Sequence, residues 1–66
     1  MYRPDNLSFF APGDLVKLEN YPEWGVGRVQ SSLGSRVTVS FENVGKQLIN
    51  LEDANLTVVK LNRDNN

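Results

Sequence analysis

The stretch Arg36-Val37-Thr38-Val39-Ser40-Phe41 alternates polar and apolar residues without exception. Side chains of a β-strand leave opposite faces with period 2, so this alternation describes a strand with one buried and one wet face. Val37, Val39 and Phe41 are expected inward, with Arg36, Thr38 and Ser40 outward. No segment of the chain sustains the 3.6-residue spacing of an amphipathic helix over three turns.

The neighbouring segments extend the β reading in both directions. Ser32-Leu33-Gly34-Ser35 reads as a hairpin turn, with Gly34 free to take positive φ. Before it, a strand runs from about Trp24 to Ser31, and Gly25 and Gly27 imply close approach of another strand or a bend. Asn20-Tyr21-Pro22-Glu23 is a loop, because Pro22 has no N–H to give a ladder. Pro12-Gly13 turns the chain into a first strand over Asp14–Glu19. Downstream, Glu42-Asn43-Val44-Gly45 makes a turn into a strand over Lys46–Leu51. Its register stays open: Leu48, or the pair Ile49 and Leu51, faces inward. Glu52-Asp53-Ala54-Asn55 fits a 3₁₀ turn, and Leu56–Leu61 a last strand.

Five short strands with frequent turn signals predict an all-β fold, a small SH3-like five-stranded barrel with a 3₁₀ turn before the last strand. Rolling the sheet protects its edges. The expected core is Val16, Leu18, Val29, Val37, Val39, Phe41, Leu56 and Val58. Residues 1–8 read as a flexible N-terminal arm, 9–61 as the barrel with Phe9 and Phe10 capping one end, and 62–66 as a disordered tail.

With 66 residues the chain has material for a single core. It contains no Cys and no His, which excludes disulfides, thiolate nucleophiles, nitrogen- or sulfur-ligated zinc and Ser-His or Cys-His pairs. Gly25-Val26-Gly27 lacks the Gly-Lys and helix of a phosphate loop, and Glu52-Asp53 do not have the spacing of a metal loop. The expectation is a binding module, not an enzyme, with no cofactor and no metal. A net charge of −1 argues against a strong grip on nucleic-acid phosphates. No apolar run approaches the ~18–20 residues of a membrane span, and Met1-Tyr2-Arg3-Pro4-Asp5-Asn6 does not read as a signal peptide. A cytoplasmic monomer is expected.

Three blocks carry a resemblance: Pro12-Gly13-Asp14-Leu15-Val16, Pro22-Glu23-Trp24-Gly25-Val26-Gly27-Arg28-Val29-Gln30-Ser31, and Arg36 through Lys46 with Phe41-Glu42-Asn43-Val44-Gly45-Lys46 at its end. Together they resemble a family of small bacterial proteins of unknown function with a Tudor-like barrel, from about Phe10 to Val59. More loosely, they are similar to the Tudor-like C-terminal domain of UvrD and PcrA helicases and to the related barrels of CarD and transcription-repair coupling factor. The resemblance implies a partner in the transcription or DNA-repair machinery, with RNA polymerase as its class, and implies no catalytic residue.

Candidate binding residues are Tyr21, Trp24, Arg28, Arg36 and Lys46. Trp24 beside Tyr21 and Pro22 reads either as an exposed aromatic anchor for a protein surface or as a lid over the open end of the barrel. An aromatic cage for a methylated cation is incomplete, since alternation commits Phe41 to the core. Arg28, Arg36 and Lys46, with Gln30, Thr38 and Ser40, read either as a weakly basic face for an acidic protein surface or RNA, or as ordinary solvated strand positions.

Overall fold

The computed structural model of the chain describes residues 10–60. The expected arm over 1–8 and tail over 62–66 lie outside the described residues, as do Phe9 and Leu61. Five strands, β1 (Leu15–Leu18), β2 (Val26–Leu33), β3 (Arg36–Phe41), β4 (Gly45–Asn50) and β5 (Leu56–Lys60), form one antiparallel sheet in the order β4-β3-β2-β1-β5. β5 returns to pair with β1, so β4 and β5 are the two ends of the ladder.

The alternation of β3 is realised as read, with Val37, Val39 and Phe41 buried. They meet Val16, Leu18, Val29 and Ile49 in one core, with Phe10, Trp24, Leu51, Ala54 and Leu56 packed around it. Pairing of Val37 with Ile49 and of Thr38 with Leu48 resolves the register of β4. Ile49 is 5% exposed and Leu48 64%. Gly27 lies opposite Phe41 because that space is full. A Cβ there would stand 2.4 Å from Val39 Cγ1 and 2.7 Å from Phe41 Cδ1.

The turns are set by backbone chemistry. Leu33 pairs with Arg36, leaving Gly34-Ser35 as a two-residue hairpin loop with Gly34 at φ 61. Asp14 is fully buried. Its Oδ2 accepts the Ala11 N–H at 3.0 Å, its own N–H donates to the Ala11 carbonyl, and its carbonyl accepts the Val29 N–H. This acidic residue therefore holds the Pro12-Gly13 turn against β2, burying its carboxylate with a partner as burial requires.

Two features differ from the sequence expectation. The 3₁₀ turn lies at Pro22–Trp24, between β1 and β2. Residues 51–53 form a hydrogen-bonded turn, in which the Asp53 and Ala54 N–H groups both donate to the Asn50 carbonyl. Pro22 suits the start of a 3₁₀ turn because its φ is preset and its missing N–H costs nothing there. The second difference is in β5. Val58 is 38% exposed and Leu56 is half-buried, because β5 ends the ladder, with no strand on its other side among the described residues.

Two bulges reset which residues share a face. In β2 the register shifts between Val29 and Ser31, so Gln30 is the extra residue. Leu33, which plain alternation from Val29 would turn inward, is instead 80% exposed. Ser32 takes the inward place opposite Val37, and its Oγ has no hydrogen-bond partner among the described residues. In β5 a similar shift sets Val59 and Lys60 together against Leu15.

The resolved register makes Ile49 and Leu48 a matched test. Ile49→Ala should cost about 2–5 kcal/mol, and Leu48→Ala should stay within about 0.5 kcal/mol of the parent. Urea unfolding of the two variants measures both, and equal losses would contradict the register of β4.

Candidate functional site

The two sequence blocks around Trp24 and Phe41 are brought together. Trp24 is half-buried and meets Phe41 edge-on, with ring centroids 5.3 Å apart at 68°. Tyr21, 49% exposed, stacks on Trp24 with centroids 4.8 Å apart and planes at 10°. Next to these rings, the turn after β3 reaches back to the loop that starts β2. Glu42 Oε1 accepts the Val26 N–H at 3.1 Å, and Asn43 Nδ2 donates to the Glu23 carbonyl at 2.9 Å. The Glu42 and Asn43 N–H groups donate to the carbonyls of Val26 and Trp24. Gly25, at φ 83 and ψ −164, occupies a region essentially restricted to glycine. A Cβ there would also lie 2.8 Å from Glu42 Oε1. Glu42, Asn43 and Gly25 therefore act as a clamp. Trp24 leans on the core as a lid, its indole committed to Phe41 on one side and Tyr21 on the other.

The cations are arranged differently. Lys17, Arg28, Arg36, Lys46 and Lys60 fall one on each strand. Each alternates with residues that face the core, or pairs opposite a residue that faces away from it. The described carboxylates, Asp14, Glu19, Glu23, Glu42, Glu52 and Asp53, all lie outside the strands. Asp14 is buried, Glu42 accepts the Val26 N–H, and Glu19 Oε2 accepts the Thr57 hydroxyl. Among the described residues none of the five cations is held in a salt bridge.

Register places three of these cations in one row. Lys60 pairs with Leu15, Leu15 with Arg28, Arg28 with Ser40, and Ser40 with Lys46. A shallow depression of about 390 Å³ opens beside Arg28, lined by Leu15, Val26, Gln30, Ser40 and Glu42 among others. Arg36 pairs with Leu33 and Asn50, two rows further along β3. So Arg28 and Lys46 are brought together, and Arg36 is not. Tyr21 and Trp24 are brought to each other, Trp24 is joined to the core through Phe41, and neither lies in the row that carries Arg28. Sequence reading missed Lys17 and Lys60 as members of the outward face. The pairing of β5 with β1, which recruits Lys60, has no signal in the local sequence.

Among the described residues no group of three or more Asp, Glu, Cys or His is placed to hold a metal ion. No helix among them is long and apolar enough to cross a membrane. What the fold and this face define is a small all-β domain with its five described cations sorted to the outward side of a single sheet. The chain matches the family described as "Protein of unknown function (DUF3553)" over residues 10–59, and it belongs to that family. No curated protein and no solved structure matches it.

The clamp yields a stability prediction. Gly25→Ala should cost about 1–3 kcal/mol from backbone strain alone, and Asn43→Ala about 1 kcal/mol from its lost bond. Urea unfolding followed by Trp24 fluorescence reads both, and a parental midpoint for Gly25→Ala would show that the loop is not held as described.

Proposed function

We propose that the chain is a non-enzymatic binding module that docks on a protein of the transcription or DNA-repair machinery through its outward sheet face. The single observation that carries this reading is the sorting of charge. A chain with net charge −1 places one cation on each strand of one face and its described carboxylates off the strands. Complementary charge of this kind steers association and sets specificity more than it raises affinity. The resemblance of the sequence to Tudor-like domains associated with RNA polymerase binding supplies the partner class.

The clamp supports the same division of labour. Trp24, Glu42 and Asn43 are occupied in holding the scaffold. Arg28 and Lys46, from the same sequence blocks, are exposed. Tyr21, stacked outside Trp24, remains available as an aromatic contact at the end of the sheet. Nucleic acid is the rival partner for the same cations. The strong positive excess typical of phosphate readers is missing from this chain.

Purified bacterial RNA polymerase and short oligonucleotides, each titrated against the full chain over a salt series, separate the two readings. The expected result is saturable binding to the polymerase, lost in the Tyr21→Ala, Arg28→Glu double variant, with the circular dichroism of the parent retained. Oligonucleotide binding that is tighter than polymerase binding and falls steeply with salt would overturn the proposal.

A further inference from the structure

The row Lys60–Leu15–Arg28–Ser40–Lys46 crosses all five strands of the sheet at one level. Its cations stand on β5, β2 and β4, with one strand between each pair. Inter-strand spacing is ~4.8 Å, so successive cations are rooted about 10 Å apart. The interval between Lys60 and Arg28 holds Leu15, with Val59 beside it through the β5 bulge. The interval between Arg28 and Lys46 holds Ser40.

We infer that this row takes an extended acidic segment of a partner protein, laid across the strands, with carboxylates three residues apart and an apolar side chain between the first two. This rests on the reading of the outward face as a protein-docking surface. A segment in the extended polyproline-II conformation advances about 3.1 Å per residue with three residues per turn, so side chains three residues apart leave the same side about 9–10 Å apart, the spacing of the cations. Duplex phosphates succeed one another about every 3.4 Å of helix axis on each strand, a denser series than this row answers. Leu15 and Val59 give an apolar contact where the segment passes from Lys60 to Arg28, and the Ser40 hydroxyl offers a polar one before Lys46. The depression beside Arg28 provides the relief for one side chain of the ligand. Glu42 borders that depression and repels a carboxylate, which confines the acidic segment to the row and away from Val26. Arg36, two rows distant, lies outside the footprint.

The probes are fluorescein-labelled peptides of about ten residues, titrated against the full chain by anisotropy. One carries three Asp residues at three-residue intervals with a Val between the first two. A second has the same composition with the Asp residues contiguous, and a third has Lys for Asp. An oligouridylate is the nucleic-acid arm. The expected result is a preference of about fivefold or more for the spaced peptide over the contiguous one, the scale of one well-placed exposed pair. Arg28→Glu and Lys46→Glu should each weaken that peptide about tenfold, and Arg36→Glu should leave it unchanged. Equal binding of the spaced and contiguous peptides, tighter binding of the oligouridylate, or an equal effect of Arg36→Glu would each overturn the inference. If Arg28→Glu abolishes polymerase binding while the spaced peptide shows no preference, the acidic segment is refuted and the docking face stands. If the spaced peptide is preferred and polymerase does not bind, the acidic segment stands and the partner class is refuted.

Discussion

The structure depends on the grip that the turn after β3 takes on the loop before β2. Four hydrogen bonds made by Glu42 and Asn43 hold Glu23, Trp24 and Val26, two through side chains and two through the backbone. Each is worth about 0.5–1.5 kcal/mol net, so together they are comparable to the ~3–5 kcal/mol expected of a core this small. The loop needs them because backbone polar groups near a core must find partners, and a chain turning at Pro22 cannot find them in a ladder. With the loop held, Gly25 sits where a side chain would collide with Glu42, Gly27 closes onto Phe41, and Trp24 roofs the core. Remove the grip and the start of β2 loses its position, along with the row that crosses it.

The charge pattern follows from the same strand period that builds the core. An antiparallel sheet with one packed face leaves every second residue in water. In this chain those places hold Lys17, Arg28, Arg36, Lys46 and Lys60, with Thr, Ser and a few apolar residues between them. The acidic residues serve the connections, where carboxylates accept backbone N–H groups or hydroxyls. Neither placement requires an overall positive charge. A weakly acidic protein can therefore present a cationic face, and net charge alone understates what such a face attracts.

Much of this was legible in the sequence wherever period and turn chemistry agreed. β3 and its three inward residues follow from alternation, and the all-β class follows from the spacing of turn residues. Three things were not legible. The register of β4 depends on pairing partners, since shifting a strand by one residue exchanges its faces without changing its composition. The bulges at Gln30 and Val59 add a residue to one strand alone, and nothing local in Val29-Gln30-Ser31 announces it. Asp14 reads from the sequence as the start of the first strand, and it is a buried carboxylate holding a turn. The candidate site was legible in part: Arg28 and Lys46 share a row, Arg36 does not, and Lys60 joins only through the long-range pairing of the first and last strands.

The residues that made the sequence resemble small barrels are mostly the residues that hold this sheet together. Trp24, Gly25, Gly27, Glu42 and Asn43 are all engaged with one another or with the core. A motif of that kind reports a scaffold, because each member has its neighbour as its reason for being there. In the docking proposed above, partner choice comes from side chains that the scaffold holds out without using, which here means Arg28, Lys46 and Lys60 on the row and Tyr21 at the end of the sheet. Two barrels can share the clamp completely and still bind unrelated surfaces, since changing an outward cation leaves every bond of the clamp in place. Under the proposed docking the clamp residues serve stability and the row residues recognition, and the two sets meet at Glu42, whose carboxylate both holds Val26 and borders the depression beside Arg28.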